Sequence, residues 1–215
     1  MALDRIGLEM IAGRIRGAEI LCLGYPDLTV KVEDVKRLLG VEPRQFTAHG
    51  ADHEAAFMLP ETVDTLMLAG ATGVECVDLK ATRGGERILD LNERQTWPKA
   101  YDLVINPGTL EHCFDVATAT FNAWRAVKVG GALLNVAPVT MVNHGFWNVN
   151  PTAVYDFAEA NGGAVVRAVA RDRQWNPVPV EPAKRYALPP DCVLYALVLK
   201  HADVPERIPT QRRYQ

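Results

Sequence analysis

Two carboxylates stand where a ligand could meet them. Asp78 ends the apolar run GVECVDL (73–79), and Asp90 lies in RILDLN (87–92). Acidic side chains ending neighbouring strands can accept hydrogen bonds from ribose hydroxyls and from an adenine amino group. A small residue at the end of another strand lets the backbone approach the same ligand. Gly24, closing EILCLG (19–24), is that small residue, followed by Tyr25, Pro26 and Asp27. A fourth run, YDLVINPG (101–108), finishes on Asn106, Pro107 and Gly108, and a fifth, ALLNVAPV (132–139), on Pro138 and Val139. For each Asp the competing reading is a strand-end residue that caps its own turn.

For these residues to converge, the runs must be strands of one sheet. Five have been named; AVVRAVARD (164–172) and CVLYALVLK (192–200) make seven. Most are continuous in hydrophobicity rather than alternating, as strands covered on both faces are. Between them lie helical patterns with legible ends. Val32, Val35, Leu38 and Leu39 share a face and stop at Gly40, while Pro60 opens a segment through Val63, Leu66 and Met67 that stops at Gly70. Phe114 to Lys128 puts Ala117, Phe121, Trp124 and Val127 on one side before Gly130 and Gly131, which makes Trp124 a core residue. Asn150 caps a helix started by Pro151 and closed by Asn161 and Gly162. Strands alternating with helices predict an α/β fold: a doubly wound, mostly parallel seven-stranded sheet with helices on both faces. The final strand is antiparallel, in a hairpin with the strand before it.

The chain has 215 residues, 48% of them hydrophobic, which suits one globular unit over 1–200. The tail HADVPERIPTQRRYQ (201–215) reads as extended, either disordered or laid on a partner subunit, so a homodimer fits the pattern. The proline-rich stretch 176–191 is too long for a hairpin loop and reads as a lid, binding loop or interface arm. A net charge of −3 gives no basic footprint for nucleic acid or an anionic membrane, which leaves small molecules as partners. Cys22, Cys76, Cys113 and Cys192 are scattered, with no metal-ligand spacing, and the start of the chain lacks a secretory pattern; a reduced cytoplasmic setting is expected.

YDLVINPGTLEHCFD, followed after one helix by RAVKVGGALLNVAPV, resembles the fourth strand, helix and fifth strand of class I S-adenosylmethionine-dependent methyltransferases. The likeness runs from about Glu19 to Gly162. The segment VNHGFWNVNPTAVYDFAEANGG is similar to that of members acting on sugars or other small polar molecules. The resemblance implies a Rossmann-like methyltransferase fold and S-adenosylmethionine as cofactor. Gly24 and Tyr25 would form the first-strand turn, Asp78 would hold the ribose, Asp90 and Leu91 would meet the adenine, and Asn106 to Gly108 would line the methionine end. The departure is GYPD where the family carries a glycine-rich loop, since Tyr25 and Pro26 add bulk and restrict the backbone. Spacing also departs: two helices, not one, fit between the first two strands.

A sulfonium methyl is already activated, so such an enzyme aligns an acceptor and removes a proton from it. His144, just after the fifth strand, and Glu111 and His112, after the fourth, are the candidate bases. Phe146, Trp147 and Asn148 are a candidate acceptor wall. His112 reads equally as a residue ordering the turn before its helix. His49, His53 and His201 lack supporting neighbours and read as surface residues, whereas Trp97 and Trp175 sit in loops where a ligand or interface role is open. Two functions compete: methyl transfer to a hydroxyl of a sugar or related metabolite, and a non-catalytic binding or assembly protein that lost its cofactor through GYPD. A nicotinamide enzyme ranks behind both, because its glycine pattern is absent.

Overall fold

The computed structural model describes residues 2–49, 56–182 and 184–214; His53 and the side chain of His49 lie outside the described residues. The chain starts with β1 (Ala2–Asp4) and α1 (Arg5–Ile11), then runs through β2 (Glu19–Leu23), β3 (Asp27–Thr29), α2 (Val32–Leu39), β4 (Gln45–His49), β5 (Ala56–Pro60) and α3 (Thr62–Leu68). There follow β6 (Gly73–Asp78), β7 (Arg87–Ile88), β8 (Tyr101–Pro107), α4 (Val116–Ala126), β9 (Val127–Pro138), α5 (Pro151–Ala160), β10 (Gly163–Arg171), β11 (Pro177–Val178) and β12 (Val193–Lys200).

The central sheet has the order β7-β6-β2-β8-β9-β12-β10-β11. Five adjacent strands, β7 to β9, are parallel, while β12 runs antiparallel between β9 and β10. The seven expected strands are present. The eighth, β11, forms inside the proline-rich loop, where Pro177 and Val178 pair with Arg171 and Ala170. The chain moves outward from β2 to β7 and returns on the other side of β2 as β8. The order therefore reverses between β2 and β8, and their carboxyl ends flank the crevice where such sheets bind ligands.

Side chains alternate between two cores. Ile20, Cys22, Leu103, Ile105, Leu134 and Val136 face α1, α2 and α3; Leu21, Leu23, Val104 and Leu133 face α4 and α5, together with Trp124 and Ala158. Each of these large apolar side chains contributes about 1.5–3 kcal/mol by leaving water, which holds the three layers in register. Trp124 is core, as its helical position implies, and its indole N–H donates to the Asn161 carbonyl at 2.9 Å.

The structure corrects several boundaries. RILDLN is strand only over 87–88, because the Asp90 carboxylate accepts from the Asn92 amide at 2.8 Å and turns the chain. Pro60 ends β5 rather than opening a helix; Glu61 caps α3 by accepting from the Asp64 amide at 2.7 Å. α4 stops at Ala126, and Val127 to Gly131 already belong to β9. The insertion between β2 and β6 holds a short strand and a β4/β5 hairpin as well as two helices. The N-terminal segment buries Ile6, Leu8, Met10 and Ile11 of α1, and β1 pairs in parallel with β3.

The C-terminal tail makes hydrogen bonds and ion pairs with its own chain. Asn161 exchanges hydrogen bonds with the Arg207 backbone at 2.9 and 3.0 Å, Arg125 pairs with Glu206, and the Arg212 amide donates to Asp156 at 3.0 Å. Among the described residues no helix is long and apolar enough to cross a membrane, and all four cysteines are free and buried.

Two glycines separate packing from intrinsic backbone cost. A methyl group on Gly163 would sit 2.5 Å from the Trp124 ring and 2.7 Å from the Leu199 carbonyl oxygen, whereas on Gly13 it would meet nothing within 4 Å. Gly163→Ala should lower unfolding free energy by about 1–3 kcal/mol. Gly13→Ala should leave it unchanged or raise it by up to about 1 kcal/mol. Urea denaturation of both variants checks the pair; equal effects would contradict the packing at Trp124.

Candidate functional site

The site is organised from the end of β8. Asn106 is fully buried, and its side-chain amide bridges two strands by donating to Asn135 Oδ1 at 2.8 Å and to the Val136 carbonyl at 3.3 Å. Its own oxygen accepts from the backbone N–H groups of Thr109 at 2.8 Å and Leu110 at 3.2 Å. The strand end is thereby folded into a tight turn, with Gly108 at φ 99° taking the left-handed conformation this turn demands. The turn continues into one 3-10 coil, Leu110–His112, that carries Glu111 and His112.

The loop after β9 is latched onto that coil. The Phe146 and Trp147 amides donate to the Glu111 carbonyl at 2.9 and 3.3 Å. Such an approach requires Gly145, where an added Cβ would lie 2.8 Å from the same carbonyl oxygen. Asn143 at φ 59° turns the chain just before it. The consequence is that His144, distant in sequence, comes to Glu111 with Nε2 3.7 Å from Oε1, and its ring lies 5.3 Å from that of His112, centroid to centroid. Ligand-capable atoms of all three side chains lie within 4.8 Å of one another.

Electrostatics distinguishes the three. Glu111 is 1% exposed, its Oε2 has no hydrogen-bond partner among the described residues, and burial pushes its carboxyl up to about 7. Burial, and next the neighbouring His144, lower the basicity of His112. The trio opens into a cavity of about 450 Å³, large enough for a small-molecule ligand. Its walls include Gly108, Val136, Met141, Trp175 and Tyr195, closed on the far side by Ala2, Asp4 and Thr29. Asp4 is held there by two duties: it caps α1 through the Gly7 amide at 3.0 Å and accepts from the Tyr195 hydroxyl.

The other candidates fall into three groups. Gly24 and Asp78 end adjacent strands on the β6 side of the crevice. Gly24 has φ 80°, with its N–H on the Val77 carbonyl at 2.7 Å; the Asp78 carboxylate accepts only a 3.4 Å bond from the Lys80 amide. Tyr25 turns away from that opening: its ring packs against the core beneath α2 and α3, its hydroxyl donates to Glu61, and Arg83 lies over its face at 5.3 Å. The third group is corrected by the structure. Asn106 does not line a ligand surface, because its amide is spent on the turn. Asp90 directs one oxygen to the Asn92 backbone and side-chain amides, and Leu91 is core, 5% exposed. Phe146 is 64% exposed and stacks edge-on with Phe114, while Trp147 and Asn148 border a separate apolar cavity of about 400 Å³ between α4 and α5. The latch on Glu111 swings these three residues outward; the wall of the cavity beside Glu111 includes Met141, Trp175 and Tyr195 instead. Trp97 is structural, donating to the Asn122 carbonyl at 2.8 Å.

Next to Asp78 the chain builds an anion nest around its own carboxylate. Glu86 accepts from the amides of Thr82, Arg83, Gly84 and Gly85 at 2.7–2.9 Å and from the Thr82 hydroxyl at 2.7 Å. Burial alone would raise this carboxyl, but the Thr82 hydroxyl and the amides outweigh it and hold Glu86 well below the ordinary carboxylate range. This shapes the loop that frames Asp78.

Architecture and strand order together define a Rossmann-like, class I methyltransferase-like fold. Among solved structures the chain is similar to TehB from Haemophilus influenzae, with a TM-score of 0.50 and 12% identity over 89% of this chain, which spans 60% of that one. No family model and no curated protein matches the sequence.

The nest has a pH signature. A depressed native pKa means that the stabilisation is complete above the unfolded carboxyl value of about 4.3 and drains away as pH falls below it. Between pH 5 and pH 3, wild-type protein should lose more unfolding free energy than Glu86→Gln, which starts about 1–3 kcal/mol less stable at neutral pH. Urea titrations at several pH values check this; parallel curves for the two proteins would refute the nest.

Proposed function

We propose that this protein transfers a methyl group from S-adenosylmethionine to a hydroxyl of a small polar acceptor, with sugars and related metabolites as the favoured class. The observation that carries the proposal is the polar trio of Glu111, His112 and His144, set in a small-molecule-sized cavity beside the β2/β8 crossover of a methyltransferase-like sheet.

The residues on the β6 side fit the cofactor. Asp78 presents a carboxylate with acceptor capacity left for ribose hydroxyls, and Gly24 in its left-handed conformation keeps a side chain out of the crevice. When bound, the cofactor supplies an electrophilic methyl on a sulfonium. Gly108 leaves room for the backbone to approach at the neighbouring strand end. Transfer of that methyl to an acceptor oxygen would require the hydroxyl proton to leave. Glu111, His112 and His144 are the groups available to hold that hydroxyl and lower the cost of its deprotonation. Met141, Trp175 and Tyr195 offer the acceptor apolar and aromatic surface beside the polar trio. The alternative, cofactor loss through GYPD, rests on bulk in the first-strand turn. Tyr25 places that bulk against Glu61 and the core, which supports retention.

Calorimetric titration with S-adenosylmethionine and S-adenosylhomocysteine tests the cofactor half. Micromolar binding that Asp78→Ala weakens by roughly 10- to 100-fold is expected, the scale of lost hydrogen bonds to a charged group. Absence of binding at millimolar ligand by folded protein would overturn the assignment.

A further inference from the structure

We propose that Glu111, His112 and His144 bind one divalent transition-metal ion, zinc in the first instance, with its open coordination positions facing the 450 Å³ cavity. Three observations converge on it. The first is donor chemistry: two imidazoles and one carboxylate form the set that catalytic zinc sites and other open transition-metal sites use, leaving room for water or a substrate oxygen. The second is proximity. Bonds of about 2.0–2.2 Å in a tetrahedral site put donors about 3.3 Å apart. The 3.7 Å between His144 Nε2 and Glu111 Oε1, and the 4.8 Å span of the set, need only small side-chain rotations to close on an ion. The third is the state of Glu111, a carboxyl 1% exposed whose Oε2 has no protein partner. Among the described residues the other buried carboxylates are engaged: Glu86 by its nest, Asp156 by Arg212. Buried polar groups are otherwise almost always satisfied, and a cation at the mouth of the cavity supplies what the chain does not.

The backbone supports this arrangement rather than an accidental cluster. Asn106 fixes the coil carrying Glu111 and His112, and the Glu111 carbonyl itself anchors the loop that brings His144. The donors therefore sit on mutually bonded segments, as an ion with fixed geometry requires. Two nitrogen donors disfavour magnesium, which prefers oxygen ligands in an octahedral cage. Metal binding does not depend on methyl transfer. Use of the ion to hold an acceptor hydroxyl rests on the proposed function, and it would restrict acceptors to molecules offering oxygen ligands, such as hydroxy acids and diols.

Untagged protein freed of metal by a chelator, without any methyl donor, is titrated calorimetrically with zinc chloride and, separately, magnesium chloride. Cobalt(II) spectra are recorded in parallel. One zinc ion should bind at micromolar or tighter dissociation constant, with magnesium at least 100-fold weaker. His144→Ala, at an exposed position, and Glu111→Gln, near-isosteric, should each weaken zinc at least 10-fold. Cobalt should show d–d bands without a thiolate charge-transfer band. Zinc binding that survives in His144→Ala/Glu111→Gln, a thiolate band, or no binding at millimolar zinc would overturn the site. Because no methyl donor is present, none of these results depends on whether S-adenosylmethionine binds, so failure of this site and failure of the methyl-transfer assignment are read separately.

Discussion

The buried amide of Asn106 is the interaction on which the site depends. It donates into β9 through Asn135 and the Val136 carbonyl and accepts the two backbone amides that begin the turn after β8. A polar side chain at 0% exposure is tolerable only when its donors and acceptor are engaged, and here they are. Because the same group ties two parallel strands together and closes the turn, neither can shift without breaking the other. Glu111 and His112 inherit their positions from it, and through the Glu111 carbonyl so does His144.

A second constraint shapes the neighbouring strand end. Tyr25 would fill the crevice if its ring pointed along β2. The inserted α3 provides a competing berth, since Glu61, which caps that helix with one oxygen, accepts from the Tyr25 hydroxyl with the other. Thr62 reinforces the arrangement by donating to the Pro26 carbonyl at 2.6 Å. The long insertion between β2 and β6 and the aromatic residue in the turn are thus one structural solution: the extra helix draws in the side chain that a glycine would have spared. Arg83 over the same ring links this corner to the Glu86 nest, so the framing of Asp78 and the disposal of Tyr25 are mechanically connected.

Hydrophobic runs and helix punctuation were legible because burial on two faces writes continuous apolar strands, and because Gly40, Asn150 and Gly162 perform local tasks that only a few residue types can perform. Short strands such as β1, β3 and β11 were not, since two or three residues carry no period. α1 was missed for another reason: Arg5 and Glu9 interrupt an apolar run whose face becomes evident only once it is seen packing on the sheet. At the candidate site, the strand-end logic put Asp78 at the end of β6 and anticipated that Glu111, His112 and His144 meet at one crevice. It misplaced Phe146, Trp147 and Asn148, because a latch between a backbone carbonyl and two amides decides where that loop points, and backbone bonds leave little trace in side-chain types. Tyr195 was hidden for the converse reason: it lies on the antiparallel strand, and only tertiary pairing brings it to the cavity that Trp175, a loop residue open to a ligand role, also lines.

Glu111 is where stability and function pull apart. An ionised carboxylate removed from water costs several kcal/mol unless matched by charge or donors, and the chain offers Oε2 neither; His144 stands 3.7 Å from Oε1, beyond hydrogen-bond distance. Among the described residues Arg87 Nη2 is the other buried side-chain atom without a partner, so an acid at position 111 is one of two such costs to stability. A glutamine, with donors of its own for the neighbouring carbonyls and imidazoles, would be the cheaper occupant. Retaining an acid there, held by a turn, walled by apolar residues and faced by two imidazoles, is consistent with a group whose partner arrives from outside the chain, either as a proton released by a substrate or as a cation. The cavity is the route by which that partner enters, and the Asn106 turn is what keeps the carboxylate aimed at it.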